Sequence, residues 1–103
     1  MTIAVRFVEE ASLEMTETID WYERAAARGR DFLEAVDDVT DRIRRWPQLG
    51  TVDSIRGRHE IRRIRVAAYP YSLAYIVFDE RIEVLAVAHD RLRPMYWRDR
   101  VPE

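Results

Sequence analysis

The chain has 103 residues, 48% of them apolar and 35% charged, with 17 basic against 19 acidic side chains and a net charge of −2. That length supports one hydrophobic core, so residues 1–103 are expected to form a single domain with no room for a separate cofactor domain. The absence of cysteine removes disulfides, thiolate zinc sites, iron–sulfur clusters and thiol nucleophiles together. The longest weakly polar stretch, residues 66–78, is shorter than the roughly 18 residues of a membrane span. No export signal opens the chain, so a cytoplasmic protein with no membrane partner is expected.

The charge is sorted along the sequence. Residues 1–41 hold four arginines against eleven acids, and residues 42–103 hold thirteen against eight. Every basic residue is arginine, which suits planar, bidentate recognition of phosphate or carboxylate and equally follows from codon bias. An isoelectric point near 5.7 argues against nucleic-acid binding by bulk attraction but leaves room for a local patch.

Residues 3–8 alternate and read as a strand, with Ile3, Val5 and Phe7 on one side. Over 10–27 the apolar positions Ala11, Met15, Ile19, Tyr22 and Ala26 recur at helical steps, and Glu9, Glu10 and Glu14 suit the positive end of a helix dipole. Gly29 breaks this pattern. A second helix is expected over 30–46, with Phe32, Val36, Val39, Ile43 and Trp46 on its stripe and Arg42, Arg44 and Arg45 in its last turn. Pro47 stops it, and residues 48–58, with Gly50, Asp53, Ser54 and Gly57, read as a loop. Three strands follow over 60–67, 71–78 and 82–89, joined by connections short enough to make them antiparallel neighbours. The expected architecture is α+β in two layers: a strand, a helical hairpin, then a three-strand antiparallel meander.

Chemistry is constrained by what the chain lacks. His59 and His89 are its only imidazoles and have no metal-ligand spacing, so no metal site is expected. Gly29, Gly50 and Gly57 form no phosphate loop, and no cofactor is implied. Ser12, Ser54 and Ser72 lack a nucleophile-elbow context. What remains is a basic cluster of Arg56, Arg58, Arg62, Arg63 and Arg65, in which period-two geometry places Arg63 and Arg65 opposite Ile64 and Val66. That face is either a solvated surface balancing the acidic helices or a surface for a phosphate or partner. His89 ends the last strand and is either a structural histidine or a proton-transfer group. The tail interleaves Arg91, Arg93, Arg98 and Arg100 with Tyr96 and Trp97, residue types that dominate interface hot spots, and otherwise caps the core. Trp21, beside the inward-facing Tyr22, is a packed residue or a groove-edge anchor.

In order along the chain, Trp21-Tyr22-Glu23, Phe32 with Val36, Trp46-Pro47, Ile61-Arg62-Arg63, Tyr69-Pro70-Tyr71 with Tyr75, and 84–89 followed by Arg91, Arg93, Pro94, Tyr96 and Trp97 resemble the ParE/RelE superfamily of bacterial type II toxins. The resemblance covers nearly the whole chain. It implies a small toxin neutralised by a cognate antitoxin whose C-terminal segment wraps it. RelE-like members cut messenger RNA on the ribosome without metal, and ParE-like members poison DNA gyrase without a recognised catalytic centre. For RNA cleavage, a 2′-hydroxyl must lose a proton, the leaving oxygen must gain one and the phosphorane charge must be stabilised. The set the resemblance would supply is His89, Tyr96 and Arg65, with Glu60, Arg63 and Arg91 as further candidates. For target or antitoxin binding it is Arg62, Arg63, Arg65, Arg91, Arg93, Tyr96 and Trp97. RelE-like members carry several lysines at the site, this chain has none, and Leu92 stands where relatives often carry a base. The ParE-like reading is therefore favoured, with gyrase as the target, over ribosome-dependent cleavage or an inert antitoxin-binding module.

Overall fold

Phe32, Val36, Val39 and Ile43 are all buried. Steps of four, three and four residues bring them onto one stripe of a helix, as the sequence pattern requires. Each such side chain contributes about 1.5–3 kcal/mol by leaving water. The computed structural model describes residues 3–92 and 95–101. Its elements are β1 (Ala4–Phe7), α1 (Glu9–Ala26), α2 (Gly29–Arg45), β2 (Thr51–Arg56), β3 (His59–Arg65), β4 (Tyr71–Val77), β5 (Arg81–His89) and a C-terminal 3₁₀ helix (Tyr96–Arg100). The five strands form one sheet in the order β1-β5-β4-β3-β2. β1 lies parallel to β5, and every other pairing is antiparallel. The helix pair carries the chain from β1 across one face of the sheet, which is the α+β two-layer arrangement expected.

α1 ends on Ala27 in the left-handed region (φ 54°), where the Ala27 and Arg28 amides return to the Glu23 and Tyr22 carbonyls. Gly29 then opens α2 against α1. A Cβ there would stand 2.8 Å from the Ile19 carbonyl oxygen, so only glycine lets the two helices approach this closely. The helix-facing core joins the α2 stripe to Val66, Leu73, Tyr75, Ile82, Val84 and Val87 of the sheet side. At one end Tyr22 stacks on Phe32 (centroids 5.4 Å apart), with Tyr69 and Tyr71 edge-on to both.

Trp46, expected on the buried stripe of α2, instead caps that helix and is exposed, and two features of the sheet also differ from the sequence reading. Residues 51–56, expected within a loop, form edge strand β2, so the meander has four strands rather than three. A bulge between Val52 and Ser54 places Val52 opposite Arg62 and Ile55 opposite Glu60, so two apolar residues three apart share a face. The period-two alternation that signals a strand is thereby erased. In addition, the far face of the sheet is not wholly charged. Ile61, Ala74, Ile76, Leu85, Ala86 and Ala88 form a second buried cluster there, closed by Trp97 from the 3₁₀ helix and flanked by Val8, Phe78 and Val101.

Candidate functional site

One carboxylate holds two residues of the tail. Glu14 projects from α1 to the margin of β5 that β1 leaves unpaired, and there it accepts the Val87 amide (3.0 Å). The same carboxylate accepts the Tyr96 hydroxyl (2.7 Å) and both terminal nitrogens of Arg100 (2.9 and 3.1 Å). Arg100 also donates to the carbonyl of Leu85 (2.9 Å), the extra residue of a second bulge between β4 and β5, which supplies that group with a partner. Burial pushes the Tyr96 phenol above its ordinary range, and the hydrogen bond and negative charge of Glu14 push it further, against a smaller opposing effect of Arg100. Burial alone would lower the Arg100 guanidinium, but Glu14 more than reverses this and its pKa is raised.

Cross-strand register sorts the strand residues by face. Arg65, Ser72 and Ala88 lie abreast on β3, β4 and β5, and Ala88 belongs to the far-side cluster. Arg63 shares the face of Arg65 by alternation. On this face Arg65 pairs with Asp90 (2.9 Å) and also donates to the Tyr69 carbonyl, while the Ser72 hydroxyl lies 3.5 Å from the other Asp90 oxygen. Arg65 therefore finds an acid of its own chain, contrary to the expectation that far-face arginines meet only solvent or a partner. Arg63 has no salt bridge among the described residues. It lines a small cavity of about 30 Å³ with Ser72, Ala88, His89, Asp90, Leu92 and Trp97. Trp97 is only 2% exposed, and its indole N–H is buried without a partner.

Of the residues named for RNA cleavage, His89 and Arg63 line one cavity, but His89, Tyr96 and Arg65 do not converge. His89 lies abreast of Tyr71, which packs on the helix-side core, and the two rings meet edge-on at 5.0 Å, so its imidazole is on the face opposite Arg65. Its Nδ1 accepts the Arg91 amide at 3.0 Å, which leaves any proton of the neutral ring on Nε2. Tyr96 is engaged by Glu14. Glu60 is on the helix side and pairs with Arg62 (3.5 Å).

Among the residues named for binding, Arg62 also lies on the helix side, donating to the Gln48 and Gly50 carbonyls (3.1 and 2.7 Å), so it pins the turn after α2. Trp97 is core, Arg91 is exposed, and Arg93 lies outside the described residues. No group of three potential ligands for a metal ion occurs among the described residues. Sequence reasoning missed Glu14, Asp90 and Arg100. The available signal was Glu14 itself, a carboxylate one turn from Ala11 and from Thr18 on the buried side of α1.

This geometry, a helical hairpin on one face of a meander with a tail folded over the other, is that of a small toxin fold. The model of the ParE toxin family of the type II toxin-antitoxin system parDE matches residues 5–93, and the chain belongs to that family. Among solved structures, it is similar to one described as a chromosomal ParDE TA system from P. aeruginosa, at 17% identity and a TM-score of 0.62, covering 85% of this chain and 96% of that one. It is also similar to a YoeB dimer from Staphylococcus aureus, at 13% identity and a TM-score of 0.57, covering 86% of this chain and 98% of that one. No curated protein matches the chain. The protein is thus a type II toxin, and its partner is an antitoxin. No helix among the described residues is long and apolar enough to cross a membrane.

Proposed function

We propose that this toxin arrests bacterial growth in the cytoplasm by poisoning DNA gyrase through binding, and that its cognate antitoxin reverses the effect. The observation that carries the reading is the dispersal of the cleavage set. His89 and Arg65 occupy opposite faces, and the Tyr96 hydroxyl is committed to Glu14 with its pKa raised. A general base must reach the proton it removes, and a phenol held in this way is a poor one at neutral pH. Target contact is assigned to the exposed or half-exposed arginines Arg63 and Arg65 of β3 and Arg91 after β5, while Tyr96 and Trp97 hold the tail against the sheet.

The second reading, ribosome-dependent RNA cleavage, is favoured by the cavity that Arg63, His89 and Trp97 share, where Arg63 and the unpartnered indole N–H offer donors to an oxyanion. Purified chain with gyrase, supercoiled DNA and ATP discriminates between them. Accumulation of gyrase-cleaved DNA, reduced in Arg63→Ala and Arg91→Ala and retained in His89→Ala, supports the proposal. Metal-free cutting of messenger RNA on programmed ribosomes that collapses in His89→Ala refutes it.

A further inference from the structure

A carboxylate stands among the arginines assigned to the target, and the backbone holds it there. Where the chain turns after β5, the Asp90 amide donates to the Pro70 carbonyl (2.8 Å), the Arg91 amide to Nδ1 of His89 (3.0 Å) and the Leu92 amide to the His89 carbonyl (3.0 Å). None of these bonds uses the Asp90 side chain. The turn therefore places the carboxylate, and Arg65 comes to it. One terminal nitrogen of Arg65 donates to Asp90 at 2.9 Å and the other reaches the Tyr69 carbonyl at 3.4 Å. The forked edge of the guanidinium is thus occupied within the chain, and this is the edge with which arginine grips a phosphate.

Arg63 and Arg91 are placed differently. Neither has a carboxylate partner among the described residues, although Arg63 and Asp90 line the same small cavity and Arg91 follows Asp90 in the chain. A phosphodiester approaching this surface meets two unpaired cations, a third already paired, and one fixed negative charge beside them. To use Arg65 it must displace Asp90. The displaced carboxylate then stays next to the phosphate as a like charge, because the turn that carries it is pinned by its own hydrogen bonds. The Asp90 side chain is 25% exposed against 65% for Arg65, so solvent screens the acid less than its partner. A protein surface of mixed charge can give Asp90 a donor while it offers acceptors to the arginines. A phosphate backbone has acceptors only.

We propose that Asp90 is a specificity-determining residue of the target-contact surface: by holding Arg65 within the chain, it turns away free nucleic acid and admits a protein surface that supplies it with a donor. This rests on the reading of Arg63, Arg65 and Arg91 as the contact for the target.

The test titrates a labelled oligothymidylate with the wild-type chain and with Asp90→Asn, at several salt concentrations. The affinity of Asp90→Asn at low salt is expected to rise by about five- to tenfold, as an exposed ion pair and a repulsive charge are removed together. Its logarithmic salt slope is expected to steepen by about 0.7, the increment for one more phosphate contact on a single strand. Arg65→Ala should cost more affinity in the Asp90→Asn background than in the wild type, since only there is the guanidinium free. Asp90→Glu, which keeps the charge, is expected to bind as weakly as the wild type. Glu80→Gln removes an equal charge from the exposed turn before β5 and is also expected to bind as the wild type does. Asn matches Asp in size and leaves the three turn bonds in place, so Asp90→Asn is expected to melt with the wild type; Asp90→Ala frees Arg65 in a second way and should show the same gain. Unchanged affinity in Asp90→Asn and Asp90→Ala, an equal cost of Arg65→Ala in both backgrounds, or an equal gain in Glu80→Gln each overturns the proposal. The titration contains no gyrase, so the two readings fail separately. The expected gain alongside a wild-type chain that yields no gyrase-cleaved DNA refutes the gyrase reading and supports the discrimination against nucleic acid, whereas gyrase poisoning without the gain overturns the role of Asp90 alone.

Discussion

Replacing Tyr75 by phenylalanine removes one oxygen and two hydrogen bonds. The Tyr75 hydroxyl accepts the Gly50 amide at 2.9 Å and donates to the Pro47 carbonyl at 2.8 Å, fixing the turn after α2 to the middle of β4. Tyr75 and Gly50 are buried, so the amide is left without a partner and without water, whereas Pro47 is only partly buried and its carbonyl can be rehydrated. One buried unsatisfied donor costs about 1–3 kcal/mol, and the second bond about 1 kcal/mol or less. A loss near 2–3 kcal/mol is therefore expected, which for about 100 residues lowers Tm by roughly 8–15 °C. Gly50→Ala tests the same contact from the other side. Its Cβ would stand 2.7 Å from the Tyr75 hydroxyl oxygen, but also 2.9 Å from Cε1 and 3.0 Å from the Arg63 carbonyl oxygen. Removing the hydroxyl relieves only the first clash, so the two substitutions should combine with a coupling below the sum of their single effects. Thermal and urea unfolding of both single variants and the double measure this. A Tyr75→Phe variant within 2 °C of wild type would refute the reasoning, because the hydroxyl would then be replaceable by solvent.

Glu14→Ala should release the tail, since Arg100, Tyr96 and the Val87 amide lose a shared acceptor; about 2–4 kcal/mol is expected, with faster proteolysis beyond His89, and equal protease resistance would show that Trp97 holds the tail alone. Tyr22, Tyr75 and Tyr96 all have raised folded-state pKa values, through burial first in each case. The sign is such that their contribution is complete below the ordinary phenol value near 10 and is lost as pH rises beyond it. Stability should therefore fall above about pH 10, with these phenols ionising together with unfolding; a tyrosinate absorbance titration complete before the loss of circular dichroism would contradict this. Ala27→Gly should stabilise by about 0.5–1 kcal/mol, because the left-handed C-terminal position of α1 costs alanine more than glycine, and a lowered Tm would show that unfolded-state entropy outweighs that strain.

The elements that could be read from the sequence are those whose partners repeat at a fixed spacing. Phe32, Val36, Val39 and Ile43 declare α2 because a helix buries every third or fourth residue, and β4 and β5 declare themselves as apolar runs between turn residues. β2 was illegible because its bulge replaces a two-residue period with a three-residue one. The second core was illegible for another reason. Ile61, Ile76, Leu85 and Trp97 come from four separate elements, and although the tail reads as a cap of the core, no local pattern states which face it covers. In the candidate site, alternation placed Arg63 and Arg65 on the far face, yet it gave no notice that Asp90 would pair with Arg65 or that Arg62 would be spent on backbone carbonyls. The same alternation, applied to His89 and its neighbour Ala88, separates that imidazole from Arg65 once the strand register is known.

The parallel pairing of β1 with β5 joins residues 4–7 to residues 81–84, and Glu14 meets Arg100 across most of the chain. The first strand made is consequently among the last to find its place. A growing chain that has emerged only as far as β4 holds a helical hairpin whose leading strand has no neighbour and a sheet whose far side is still bare. Such long-range closure slows folding and prolongs the exposure of apolar surface. For a protein that harms the cell making it, this order of assembly sets a clock. The tail cap over the far face, and with it the final setting of Arg63 and Arg65 beside Trp97, is completed only once the last residues have been made.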